Sequence, residues 1–406
     1  MDSGFVEIIT LLLGISGFGI QQNPKAPTPD VSLQYAMPDA DVVVHFDAGS
    51  VVPNNYKVLT ALPNNPGIKA SPELAKMVRK AIGEVEGGRG LAKTATGIDL
   101  ASDVNDATMF FQIVPNRDPN YVAVMHGNFS AANVDKIAKM KKGMAVVKVG
   151  DASMVEMGDE NAIAVTKDGT MIAGTVGLVK ERVAATWKAP ARAANSNLAY
   201  AAEVLGQKPV FALVMTLSPT ARKEAVAKIG GKNFATDVVQ RHKLAAFSVF
   251  ADGVGWTWID SNKAGLDAME MMSQGTLELM KAGHIAPRGI AKMMLGGLES
   301  YRGTNKQIDD VLRRKAEVMK VVETYTGDGN FKQTITKDPK TLRLTVRAQG
   351  KSLSDVVPAG LALPAAGLFL FTGRSAKMEM SPPQPMVQPA PAQKTAPKPA
   401  LGGKKN

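Results

Sequence analysis

Residues 161–187, NAIAVTKDGTMIAGTVGLVKERVAATW, read as strand, tight turn, strand and helix. Ile163 and Val165 alternate with Ala162 and Ala164, the period-two spacing of a half-buried strand. Asp168-Gly169 matches the two positive-φ residues of a type I′ hairpin turn. Thr175 is placed to cap a helix on which Val176, Val179, Val183 and Trp187 share one face. A lone hairpin and helix cannot bury both their apolar faces. The unit therefore predicts an antiparallel sheet shared between several such hairpins and covered by helices.

The same order recurs along the chain. Met109–Val114 and Val122–Met125 form an earlier hairpin, followed by a helix capped at Ser130 and carrying Val134 and Ile137. Leu244–Phe250 and Val254–Ile259 flank a second Asp-Gly pair at Asp252-Gly253, with Ser261 as the next cap. A last hairpin, Phe331–Ile335 with Leu342–Val346, turns at KDPK without a clear helix after it. Strand, then Ser-Pro, then helix also occurs twice. DVVVHFD precedes Ser71-Pro72, and PVFALVMTL precedes Ser218-Pro219, each with proline at the first helical position. These recurrences predict an α+β fold of two tandem related domains, each an antiparallel sheet of hairpins packed on helices.

The expected organisation is an apolar segment at 1–20 and a Pro-punctuated linker at 21–38. A first domain at 39–187, an Ala-rich join at 188–208 and a second domain at 209–354 follow. An apolar segment at 355–373 and a basic, Pro-rich tail at 374–406 complete it. The helix after Ser71 carries Leu74, Met77, Val78, Ala81, Ile82 and Val85 on one face and is expected to stop at Gly87, Gly88 and Gly90. Three helical stretches are expected near 263–281, 286–299 and 304–325.

Of the net charge of +11, +5 lies in the tail and the rest is spread along the remaining chain. The tail holds six Lys or Arg against the single acid Glu379, and aromatics make up 5% of the chain. Nucleic-acid binders set their bases beside aromatics or on one helix face, so no nucleic-acid role is expected. With no cysteine, disulfides, thiolate nucleophiles and cysteine metal sites are excluded.

Phe5–Ile20 has the length of a signal-peptide core, yet MDSG before it carries an acid and no base. It reads as a signal, an uncleaved anchor or a buried helix. Val356–Phe371 is a second uncharged apolar run, interrupted by Pro358 and Pro364 and followed by Arg374 and Lys377. As a helix it would reach ~24 Å, short of a ~30 Å hydrocarbon core, though its flank suits a stop-transfer segment. The expected placement is tethering to the inner membrane with an extracytoplasmic body and a cytoplasmic tail; the alternative is a cytoplasmic protein.

Chemical motifs are sparse. GGRGLAKT (87–94) resembles a phosphate loop but follows a helix rather than a strand, so it reads as a helix stop. The four histidines, His45, His126, His242 and His284, have no metal-ligand spacing. His45 and Asp47 share a strand face without a nucleophile or third group, and His242, in RHK, reads as solvated. The carboxylate pairs Asp39/Asp41, Asp103/Asp106 and Asp309/Asp310 suit turns or helix surfaces. Seven of the methionines lie between Met269 and Met319, as core filler or the lining of an adaptable groove.

HGNFSAANVDKIAKM (126–140), AVTKDGTMIAGTVGLVKERV (164–183) and DADVVVHFDAGSVV (39–52) together resemble a class of uncharacterised bacterial envelope proteins built from hairpin-helix α+β repeats. The resemblance implies a secreted or membrane-tethered protein without assigned activity, and it carries over no functional residue. The combined expectation is a non-catalytic envelope binding or scaffolding protein, with no cofactor and no catalytic or metal site. Its partners would be a protein held by the Pro-rich tail and, through the apolar runs, a membrane. The residues singled out are structural: Gly169 and Gly253 in turns, and Ser71, Ser218 and Thr175 as caps. The alternatives are a hydrolase with dispersed catalytic residues and a soluble cytoplasmic assembly protein.

Overall fold

The computed structural model describes residues 30–64, 72–99, 101–140, 144–193, 196–231, 234–300, 302–303, 306–316, 319–320 and 330–356. Within them the chain is a mixed α+β fold built on one antiparallel sheet. Its strands are β1 (Val42–Phe46), β2 (Val104–Gln112), β3 (Asn120–Gly127), β4 (Val146–Val149), β5 (Ala152–Met157) and β6 (Asn161–Val165). They continue as β7 (Thr170–Thr175), β8 (Phe211–Met215), β9 (Leu244–Phe250), β10 (Gly253–Ile259), β11 (Lys332–Asp338) and β12 (Arg343–Gln349). The order across the sheet is β11-β12-β10-β9-β8-β1-β2-β3-β7-β6-β5-β4.

Two separate sheets were expected, and the sheet is instead continuous through its middle. β1 pairs with β8, Val44 opposite Leu213. Outward from that junction β2 and β3 lie on one side, and β9 and β10 on the other. Asp41 fastens the junction. Its buried carboxylate accepts the Ser218 N–H at 2.6 Å and the Ile113 N–H at 2.8 Å, and its carbonyl accepts the Thr216 N–H. A carboxylate taken out of water is tolerable only with such partners.

On one face, α1 (Asp30–Leu33), α5 (Val176–Val183) and α6 (Asn197–Gly206) cover Val43, Phe110, Val122, Val124, Ile172, Val214 and Leu244. Residues 30–38 were expected as linker and 188–208 as a join, yet both supply core. Leu33, Ala36 and Met37 are buried, as are Leu198, Ala201, Val204 and Leu205 of α6. On the other face, α4 (Ala131–Lys139) lays Val134 and Ile137 over Val155, Val165 and Met171. Each such side chain contributes roughly 1.5–3 kcal/mol of burial. Also on that face, α9 (Lys263–Glu299) and α11 (Leu353–Val356) cover Trp256, Trp258, Leu344 and Val346. The remaining helices are α2 (Ala48–Ala61), α3 (Pro72–Thr96), α7 (Pro219–Ile229), α8 (Phe234–Arg241) and α10 (Lys306–Arg313).

Several local expectations change. α3 runs through Gly87, Gly88 and Gly90 to Thr96 and ends at Gly97, φ +74°. Glycine costs about 1 kcal/mol per helical position relative to alanine. A clamp at the helix end opposes that cost: Arg89 holds Asp99 through two bonds of 2.6 and 2.7 Å, Lys93 adds a third, and Arg89 stacks on Tyr56. Residues 263–299 form one helix of 37 residues rather than two.

The Asp168-Gly169 turn is not type I′, because Asp168 is not among the positive-φ residues. Gly169 N–H donates to Thr166 O, and Thr166 N–H to Thr170 O. This is a three-residue loop with Gly169 (φ +82°) as the sole left-handed position. The second Asp-Gly pair also differs. Phe250 lies opposite Gly253, so the loop is Ala251-Asp252. Gly253 is needed because β12 passes close by: a Cβ there would lie 2.0 Å from the Ala348 carbonyl oxygen.

Candidate functional site

The sheet face beneath α1 holds a buried polar cluster. His45 of β1 bonds Thr108 of β2, Nδ1 to Oγ1, at 2.9 Å. His126 of β3 bonds Asp106 of β2, Nδ1 to Oδ1, at 2.8 Å, and Ser32 Oγ of α1 lies 3.4 Å from the same nitrogen. Alternation along three paired strands brings these residues together: His45 lies opposite Thr108, and Asp106 opposite His126. All five are buried. Burial pushes the His45 imidazole down to about 4, and nearby Asp106 opposes that shift in part. Asp47 is turned to its own helix, accepting the Ser50 N–H at 2.9 Å and the Ser50 hydroxyl at 2.5 Å. Its carboxyl is raised, chiefly by burial. His45 and Asp47, which the sequence places on one strand face, are thus partnered apart, as His45–Thr108 and Asp47–Ser50, and both are buried.

A histidine held by a carboxylate is half of an acid–base apparatus. The other half requires a nucleophile or substrate proton at the second ring nitrogen. His126 Nε2 and Asp106 Oδ2 have no hydrogen-bond partner among the described residues. The described residues hold no group of three His, Cys, Asp or Glu side chains arranged for a metal ion. The cluster as it stands fastens α1 to the sheet.

The other singled-out residues are structural or lie elsewhere. Ser218 Oγ accepts the Ala221 N–H and caps α7. Thr175 precedes α5 without capping it; its hydroxyl accepts the Tyr121 N–H of β3 instead. The cap of α9 is Asn262, accepting from Gly265, rather than Ser261. Ser71 and residues 1–29 and 357–406 lie outside the described residues. His242, which follows α8, is buried against Trp258 of β10 with its Nδ1–H on Val238 O, and is not left in solvent. Asp41, Asp99 and Asp106 are likewise interior groups. The phosphate-loop lookalike is helical, with Arg89 and Lys93 committed to Asp99.

The feature least expected of a finished surface is α9. One face is core: Leu266, Met269, Leu277 and Leu295 are buried, and Ser273 accepts the Trp256 indole N–H at 2.8 Å. A charged flank follows, where Lys337 holds Asp267 and Glu270. The third face is apolar and open. Met271 is 72% exposed, Leu279 70% and Met293 74%, joined by Met272 and Met294. Met271, Gly275, Leu279, Ala282, Gly289 and Met293 follow at the three-, four- and seven-residue spacings of one helical stripe. A Cβ built at Gly275, Gly289, Gly296 or Gly297 would meet nothing within 4 Å. The sequence shows the methionines crowded here; which face of the helix stays open is set by Trp256 and Leu344 filling the other.

No family model and no curated protein matches this chain. Among solved structures, crystal form I of TP0453 aligns with a TM-score of 0.34 and 10% identity, covering 83% of this chain and 96% of that one. Crystal form III gives 0.31 and 10%, covering 80% and 96%, and crystal form IV gives 0.31 and 10%, covering 56% and 78%. Likeness at that level assigns neither family nor function.

Proposed function

We propose that this protein is a non-catalytic binding or scaffolding component of a bacterial cell envelope, with the open face of α9 as its docking surface. The observation that carries this reading is the run of exposed Met and Leu side chains on a helix whose core face is already filled. Leaving several large apolar side chains in water is unfavourable by their forgone burial, and a contiguous patch of them marks an interaction site. Thioethers adapt to varied apolar partners. Envelope placement rests on the apolar runs at 5–20 and 356–371 and on Arg374 and Lys377 after the second. The body would lie outside the cytoplasm, with the basic, Pro-rich tail as a further protein contact inside it. Among described residues no helix is long and apolar enough to cross a membrane. We read the two halves as related α+β domains, since strand, helices, hairpin and helix occur in one order on each side of the β1–β8 junction.

A photoreactive residue at Leu279 in the full chain, expressed in native cells, tests this reading. It should yield a discrete protein adduct in the membrane fraction, well above that from the same residue at Lys223 on α7. Equal yields from the two positions, with the full chain released into the soluble fraction by carbonate, would overturn it.

A further inference from the structure

The open face of α9 has a period of its own. The exposed Met272, Leu279 and Met293 fall at intervals of seven and fourteen residues, and Ala268, Gly275, Ala282, Gly289 and Gly296 repeat every seven between them. The two series alternate at spacings of three and four, the seam of a heptad coiled coil. Ser273, Leu277 and His284 are buried on the opposite side of the helix. A parallel pair of such helices would set Leu279 on Leu279 and Gly275 on Gly275, crowding one layer and leaving a void in the next. Reversing one helix sets large against small in each of these layers. Met272 meets Gly296, Leu279 meets Gly289 and Met293 meets Gly275, and the three pairs share one centre at His284, as a two-fold axis demands. The glycines are open to receive them, since a Cβ built at Gly275, Gly289 or Gly296 meets nothing within 4 Å.

We propose that the partner of the open face is a second copy of this chain, paired antiparallel along α9 from Met272 to Gly296, which rests on the docking reading above and names what docks. The flank of the seam carries the same symmetry. Glu278, Ile285 and Lys292 form one exposed column at seven-residue spacing. In the antiparallel pair Glu278 of each chain lies beside Lys292 of the other, and Ile285 beside its own copy at the axis. In a parallel pair the two charges would face Gly283 and Gly297, neither of which can answer them. The seam runs ~36 Å at ~1.5 Å per residue, and its glycine layers let the helix axes approach to ~8 Å. The two bodies sit outside the pair, because the side of α9 that packs on Trp256 and Leu344 lies away from the seam.

The absence of native cysteine makes the test direct. The full chain is made in two forms, Leu279→Cys and Gly289→Cys, expressed singly and together in native cells and then oxidised. The expected result is a bridged dimer from the mixed forms and little from either alone, since each position lies ~15 Å from its own copy along the antiparallel pair at ~1.5 Å per residue. Bridging of each form to itself, as in a parallel pair, overturns the proposal. So does bridging no greater than that of a Leu279→Cys and Lys223→Cys mixture. A second readout uses charge. Glu278→Lys should weaken self-association of the detergent-solubilised full chain several-fold in sedimentation, and adding Lys292→Glu should restore it. No loss, or loss without restoration, overturns the antiparallel pairing. The photoreactive residue at Leu279 separates this inference from the reading beneath it. An adduct of twice the chain's mass supports both. An adduct with a different protein keeps the docking surface and removes the second copy. No protein adduct, with Leu279→Cys shielded from maleimide only by added phospholipid vesicles, assigns the face to lipid and removes both.

Discussion

Around the β1–β8 junction, the first half carries His45, Thr108, Asp106 and His126 where the registers place Val214, Ala246, Leu244 and Ile259 in the second. The second quartet is ordinary core, and the first is a polar network in the same setting. The helices after the two hairpins differ in the opposite sense. α4 is nine residues long and buries Val134, Ile137 and Ala138, whereas α9 runs for 37 and leaves an apolar face in water. One half hides polar groups and the other displays apolar ones. The sheet tolerates either choice, because strand pairing uses backbone groups that both halves share. Departures from simple inside–outside patterning therefore mark what each half does beyond folding.

The strongest way to break the comparison is to cut the link between the halves. Asp41→Leu strands two partly buried amides, Ile113 and Ser218, and each unsatisfied donor costs ~1–3 kcal/mol. Urea unfolding should show a loss of roughly 3–5 kcal/mol. A loss below ~1 kcal/mol would mean the halves are held together by other contacts.

The polar quartet should appear in the pH dependence. His45 has a folded value of about 4, below its ordinary 6.5, so the unfolded chain takes up the proton first as pH falls. Its contribution to stability is complete above pH 6.5 and is lost towards pH 4, by roughly 3 kcal/mol for that shift. His242, lowered mainly by burial, acts in the same direction. His45→Val, which imitates Val214, should flatten the slope over that window. An unchanged slope would place the acid sensitivity elsewhere.

The two Asp-Gly loops separate in a smaller test. Gly169→Val should cost about 1–3 kcal/mol, since a β-branched residue is strained at φ +82°. Gly169→Asn should cost less, because asparagine tolerates that region. At Gly253 the obstacle is the Ala348 carbonyl, so Gly253→Asn should be as harmful as Gly253→Val. Thermal melts of the four variants check the ordering, and equal losses for both Gly169 variants would contradict the turn assignment.

Much of the frame was legible because strands announce themselves by period two: Ile163/Val165 and Val42/Val44/Phe46 each share a strand face, although both faces are covered and Ala162, Ala164 and Val43 opposite them are deeply buried. What escaped has specific causes. α3 passes through three glycines while Asp99, just past its end, clamps Arg89 and Lys93 back against the last turns, a side-chain contact that glycine propensity alone does not show. Residues 30–38 look like linker because prolines precede them at 24, 27 and 29 and close them at 38, yet Leu33, Ala36 and Met37 join the core over the sheet. The polar quartet was invisible because Asp106, Thr108 and His126 meet His45 only once register is known. On α9 the abundance of methionine is plain in the sequence, but which face stays open depends on Trp256 and Leu344 of distant strands covering the other.

The smallest expected effect on stability accompanies the most direct test of the docking surface. The full chain with Met271→Lys, Leu279→Lys and Met293→Lys should melt within about 2 °C of the parent, since exposed positions change stability by ~0.5 kcal/mol or less. A photoreactive residue in place of Met272, on the same open face, should then lose the protein adduct it forms in native cells without the three lysines. An adduct that persists through all three substitutions would contradict the account.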